Sequence, residues 1–159
     1  MIVDLLPHDR EDFRRQLGQT RLGFDAKELD AAGTSVIVVK DGKGVVRAFH
    51  NICRHRGNKL VWQDFPAEET AGSCRQFTCK YHGWRYDLEG ALTFVQQEGE
   101  FFGLDTSQYG LKPVNCDVWN GFIFINFDND AMPLTEYLGD FAKGLEGYPF
   151  HEMTEHYSY

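Results

Sequence analysis

No apolar stretch in the sequence approaches the roughly 18 residues that a membrane-spanning helix needs. The N-terminus, MIVDLLPHDREDF, offers only a short apolar patch broken by Asp4. Neither a spanning segment nor a secretory leader is expected, and the chain reads as cytoplasmic. Internal repeats and low-complexity linkers are also missing, and 159 residues suit one ordinary hydrophobic core rather than two full domains. There is no cationic excess: 16 Lys and Arg against 24 Asp and Glu leave a formal net charge of −8, which argues against a general nucleic-acid binder. Cysteine is sparse. In a reducing compartment the four present are better read as metal ligands or core residues than as two disulfides.

Against the acidic background, Arg54, Arg56, Lys59, Arg75, Lys80 and Arg85 crowd into one segment, either a solvated loop face or a docking patch. Hydrophobic residues at 42% and charged residues at 25% are globular values, and 13 Phe, 7 Tyr and 3 Trp promise an aromatic core. Residues 9–17, DREDFRRQL, have a capping Asp9, a stop at Gly18, and Phe13 one turn from Leu17, which predicts a short amphipathic helix. Two β-branched runs, SVIVVK and VVRAFHNI, flank DGKG and predict a hairpin. Further strands are expected at 75–79, 83–87 and 91–95, with Leu88, Glu89 and Gly90 turning the last pair. Two more lie within 112–127 around Asn120-Gly121, a tight-hairpin pair. After Pro133, apolar residues at 134, 138, 141 and 145 predict a closing helix. The expectation is an all-β, antiparallel body over 20–130, between a helical segment at 1–19 and a helix or linker at 131–159.

The chemistry sits in 53-CRHRG-57 and 79-CKYHGW-84. Two Cys and two His most often bind zinc, but zinc sites usually space like ligands together, as C-x(2–4)-C and H-x(3–5)-H. Here each segment mixes one thiolate with one imidazole, as if two metal atoms each drew on both segments. A Rieske 2Fe-2S centre needs that arrangement, with two thiolates on one iron and two imidazoles on the other. Gly57 and Gly83 would let the backbone pass close to the metal. The remaining candidates have plainer readings. Cys116 alternates with Val114 and Val118 as a small core residue, and Cys74 is a free thiol at a strand start. His50 is a strand residue bonded through backbone, and His8 belongs to the terminus. The tail 151-HEMTEH-156 misses the HExxH pattern because position 155 is Glu.

Residues 47-RAFHNICRHRGNKL-60, 77-FTCKYHGWRYDLEGAL-92 and 118-VWNGFIFINFD-128 together resemble the N-terminal Rieske domain of the large subunit of Rieske non-haem iron oxygenases. The resemblance implies a Rieske-type antiparallel β-sandwich with two cluster-binding hairpin loops. It places Cys53 and Cys79 on the inner iron and His55 and His82 on the outer one. Trp84 and Tyr86, beside the cluster, could conduct electrons but are better read as packing it and limiting water access, and Arg56 would either orient a hydrogen bond beside it or lie in a docking patch. It further implies electrons arriving from a ferredoxin or flavoprotein reductase and leaving for a mononuclear Fe(II). That iron would sit in a catalytic domain of the same or a neighbouring subunit of a trimer.

His151 and His156 match the His-x4-His spacing of the mononuclear site but lack its surroundings, so the catalytic domain is expected to be absent and 131–159 to lead toward it. A freestanding Rieske ferredoxin is the alternative. The spacer 56–78 is longer than is usual for the family, with the excess placed in a surface loop at 64–73. Asn58 and Tyr81 stand where respiratory Rieske proteins carry an additional disulfide. With few hydroxyl donors expected near the sulfurs, a potential near the low end of the Rieske range, roughly −150 mV, follows.

Overall fold

The computed structural model describes residues 2–3, 34–61 and 74–150. The helix expected at 9–17, the loop at 64–73, and His8, His151 and His156 lie outside the described residues. Strands β1 (Ile2–Val3), β2 (Val36–Lys40), β3 (Val46–His50), β7 (Pro113–Trp119) and β8 (Phe122–Asn126) form a five-stranded sheet in the order β1-β8-β7-β3-β2. Strands β4 (Phe77–Thr78), β5 (Arg85–Tyr86) and β6 (Leu92–Phe94) form a second sheet of three. Every described pairing is antiparallel.

The β2–β3 hairpin forms where the β-branched runs predict it, from Val36↔His50 to Lys40↔Val46. Asp41 fastens its turn: one carboxylate oxygen accepts the Lys43 and Val45 amides, both at 2.9 Å, and the other accepts the Arg47 guanidinium. At the β7–β8 turn Trp119 pairs with Phe122. Asn120 (φ 52°) and Gly121 (φ 89°) are both left-handed, as a two-residue type I′ connection requires. The short strand β1 occupies the outer edge of β8, with Ile2 opposite Phe124, so the N-terminal residues contribute an edge strand where sequence pattern suggested only helix. Covering an edge in this way satisfies backbone groups that would otherwise stay open.

The uninterrupted apolar run of β2 reflects burial on both faces. Ile37 and Val39 join Phe49, Leu60, Phe77, Trp84, Tyr86, Leu92 and Leu111 in the core between the sheets, together with Cys53 and Cys79. Val36 and Val38 pack on the other face with Ala48, Val114, Ile123 and Ile125. Side chains of this size stabilise by about 1.5–3 kcal/mol each when fully buried, so the two sulfurs are anchored in a well-buried apolar cluster. The strands of the second sheet are shorter than sequence predicts, because the chain leaves β4 and enters β5 through a tight loop at 79–84 rather than by extending the ladder.

The closing helix, α1 (Leu134–Gly144), starts after Pro133 as expected, but Gly139 breaks it with φ 50° and ψ −131°. The turn after the break is rotated out of phase. Of the predicted apolar face only Leu138 is buried, and Phe141 is 63% exposed.

Candidate metal centre

Two loops, 53–58 after β3 and 79–84 between β4 and β5, share one backbone design. In the first, the Cys53 amide donates to the Asn58 carbonyl at 2.8 Å, and the Gly57 amide donates to the Cys53 carbonyl at 3.0 Å. In the second, Cys79 bonds Trp84 at 2.8 Å and Gly83 bonds Cys79 at 2.9 Å in the same sense. The closing glycines are left-handed in both, with φ 74° at Gly57 and 70° at Gly83. Handedness alone therefore calls for glycine here, beside the close passage inferred from sequence. At Gly83 an added Cβ would also meet the Gln96 side-chain oxygen at 2.8 Å. Within this common frame the cysteines occupy equivalent positions, and the histidines sit two residues on in one loop and three in the other. That offset carries both imidazoles to the same side: the His55 and His82 rings lie 4.8 Å apart, edge to face.

The sulfurs face inward and the imidazoles outward. Cys53 and Cys79 are 2% and 3% exposed, while both histidines are only partly buried. Trp84 stacks on His55 at 4.8 Å with planes 9° apart, and Phe101 closes on both rings edgewise. Trp84 thus packs against the imidazole layer. Arg56 is exposed, with its guanidinium 5.6 Å from the Tyr81 ring, which places it on the outer face rather than against the sulfurs. Cys116 packs with the second core, where burial pushes its thiol up to about 11. Cys74 packs against the first core. The His50 amide donates to the Lys112 carbonyl at 2.9 Å.

Tyr86, read from the sequence only as a packing aromatic, also makes a hydrogen bond that the sequence did not state. Its hydroxyl lies 3.3 Å from Cys53 Sγ and accepts the Arg54 amide at 3.0 Å, so its own proton is free to point at the sulfur. Burial, reinforced by the bond to Cys53, raises its pKa far above the usual phenol value and keeps it a donor. This hydroxyl is one specific donor to a sulfur. Spacing held the only signal: Trp84, just before β5, and Tyr86 are two apart, the period at which extended chain returns a side chain to the same side.

The electrostatics suit a metal site. Burial pushes the Cys53 thiol up, the Tyr86 hydroxyl and the His55 amide pull it back, and nearby Cys79 adds to the rise. Burial, then His82 and Arg56, lower the pKa of His55, favouring the neutral imidazole that binds metals. Among the described residues, the buried side-chain atoms without a hydrogen-bond partner are Arg54 Nε, His82 Nδ1 and Trp84 Nε1, all on the two loops. Orphans of this kind are costly and rare. An imidazole nitrogen left open beside two buried sulfurs fits a ligand set for a metal group. Pairs of one thiolate and one imidazole from each of two loops are the donor set that the two irons of a Rieske cluster use.

Comparison with known proteins agrees with this geometry. The sequence matches the Rieske 2Fe-2S domain over residues 16–109. It is 43% identical over 114 residues to the large oxygenase component of a 2,4-dinitrotoluene dioxygenase system from Burkholderia sp. (strain RASC), covering 70% of this chain and 24% of that protein. To the glycine betaine monooxygenase oxygenase subunit of Pseudomonas aeruginosa (strain UCBPP-PA14) it is 35% identical over 121 residues, covering 76% and 26%. Among solved structures, naphthalene 1,2-dioxygenase with indole bound aligns with a TM-score of 0.63 and 36% identity over 89% of this chain and 29% of that one. A quaternary ammonium Rieske monooxygenase aligns with 0.67 and 26% over 82% and 33%. The chain spans about a quarter of the length of the curated relatives it matches. With more than half of its length matched by the family, and with paired Cys and His loops of the kind the family's cluster requires, the chain belongs to the Rieske 2Fe-2S domain family.

Proposed function

We propose that this chain is the electron-transfer domain of a hydroxylating oxygenase, in which Cys53 and Cys79 hold the inner iron of the cluster and His55 and His82 the outer. The observation that carries the reading is the matched pair of loops, which buries two sulfurs and turns two imidazoles 4.8 Å apart toward the surface. When bound, a Rieske cluster stores and passes single electrons. The chain's own residues do the rest. Tyr86 donates a hydrogen bond to Cys53, Trp84 and Phe101 fix the plane of His55, and the core behind the sulfurs excludes water. Electrons would enter from a ferredoxin or flavoprotein reductase through the imidazole side and leave for a mononuclear Fe(II) on the catalytic domain of the same or a neighbouring subunit of a trimer. The relatives reported above are oxygenase components, which favours this reading over a freestanding carrier. No helix among the described residues is long and apolar enough to cross a membrane, in keeping with a cytoplasmic enzyme component. Purified protein should be brown, contain two irons and two acid-labile sulfides, and bleach on reduction. Cys53→Ser or Cys79→Ser should lose the cluster. Colourless protein with stoichiometric zinc would overturn the proposal.

A further inference from the structure

The two ligand loops are closed at their necks by different means. In the second loop β4 and β5 pair directly, Phe77 with Tyr86 and Thr78 with Arg85. The first loop has β3 on its incoming side but no strand on its outgoing side, since residues 58–61 belong to no sheet. Asn51 bridges that gap. It is the buried polar residue of the described chain, 3% exposed, and it uses every hydrogen-bonding capacity of its side-chain amide. Its oxygen accepts the Leu60 and Val61 amides, both at 2.9 Å. Its nitrogen donates to the Val61 carbonyl and, at 3.0 Å, to Ser35 Oγ, while its backbone amide bonds the Ser35 carbonyl at 2.9 Å. An Asn side chain presents the same acceptor and donor as a peptide group, so one residue supplies the cross-links that a paired strand would otherwise make.

We propose that Asn51 is a positioning residue for the cluster: it clasps the neck of the first loop and so holds Cys53 and His55 in register with Cys79 and His82. The inference rests on the reading of those four residues as ligands. Tension in the clasp reaches the ligands over a short path, because Asn51 is two residues from Cys53 and its partner Leu60 is two from Asn58, whose carbonyl holds the Cys53 amide. Without the Asn51 side chain the Leu60 and Val61 amides have no acceptor in a largely dry neck, and an unmet buried donor favours opening.

The test compares the cluster-loaded full chain with Asn51→Ala, Asn51→Asp and Val38→Ala. Asn51→Asp keeps the shape and the acceptor but loses both donors, and it carries the comparison should Asn51→Ala fail to fold. Val38→Ala weakens the other core without touching either loop. Hydrogen exchange followed by mass spectrometry on peptides spanning 51–61 and 79–84 should show the first exchanging about tenfold faster in the Asn51 variants than in Val38→Ala, with the second unchanged. Iron release to a chelator, followed by visible bleaching, should accelerate in the same variants. Exchange and bleaching no faster than in Val38→Ala would overturn the clasp. A Cys53→Ser protein that keeps the native 2Fe-2S spectrum would overturn the ligand reading instead, and leaves the exchange result intact because that is read on amides alone.

Discussion

Tyr86 Oη lies 3.3 Å from Cys53 Sγ, and the Arg54 amide, at 3.0 Å, occupies the hydroxyl's acceptor side. The phenol proton is therefore directed at sulfur. A hydrogen bond to a cluster thiolate stabilises the more negative, reduced state more than the oxidised one.

Tyr86→Phe keeps the ring in its fully buried site and deletes only that bond. The midpoint potential should fall on the order of 50 mV, since a differential bond energy near 1 kcal/mol corresponds to a shift of this size for one electron. Iron content should not change. Voltammetry of the two proteins decides it, and an unaltered potential would mean that the hydroxyl does not bond the sulfur in the loaded protein.

The contrast between Tyr86 and the proposed ligands shows where sequence stops informing. Cys53, His55, Cys79 and His82 stand out as candidate ligands because a mixed thiolate and imidazole spacing has few chemical uses, and the hairpins were legible because β-branched runs meet at Asp-Gly and Asn-Gly turns. Tyr86 reaches Cys53, 33 positions away, only through the packing of the second sheet against the loop after β3 in their shared core. Asn51 meets Leu60 and Val61 through a loop whose path no local pattern states. Likewise the apolar spacing at 134–145 is a sound helix signal, but Gly139 adopts a left-handed conformation that tertiary context, not propensity, selects.

The Asp41 turn makes a pH-dependent contribution to the β2–β3 hairpin, from whose far end the first ligand loop departs. Arg47, first through its hydrogen bond, and the Val45 amide hold the Asp41 carboxyl below the ordinary carboxylate range. A depressed folded-state pKa means that the ionised group stabilises the fold fully above that range, and that the stabilisation is lost as pH falls through it toward the folded value. Asp41→Asn should therefore melt below the parent at neutral pH, with the gap closing in acid. Thermal melts of both proteins from pH 7 down to 3 measure the gap. A constant difference would show that the charge is immaterial.

The basic side chains around the imidazole face set an expectation for electron entry. Arg56, Lys59, Lys80 and Arg85 are all exposed on or beside the two loops of an otherwise acidic chain. An acidic reductase or ferredoxin would be steered to this face, and steering is screened over about 8–10 Å at 0.10–0.15 M salt. Stopped-flow reduction by such a partner should slow as ionic strength rises, and Arg56→Glu should slow it at low salt while leaving the midpoint potential in place. A rate indifferent to salt would remove electrostatic docking from this face.

Gly90 tests how closely the two sheets are fitted behind the cluster. It turns β5 into β6 with φ 89°, and a Cβ there would stand 2.5 Å from the ring of Phe49, which is 3% exposed. Its carbonyl also accepts the Leu111 amide at 2.7 Å, so the backbone cannot swing away without breaking that bond. Gly90→Ala should thus incur left-handed strain of about 1–2 kcal/mol and an overpacking cost of about 1–3 kcal/mol. Gly57→Ala, where no atom lies within 4 Å of the added Cβ, should incur only the first. Phe49→Leu vacates the colliding ring edge, so the double variant should be less destabilised than the sum of the two single changes, a coupling that a double-mutant cycle of denaturant unfolding resolves. Strict additivity would mean that Phe49 yields freely and that the sheets behind the sulfurs are not held as tightly as the contact requires.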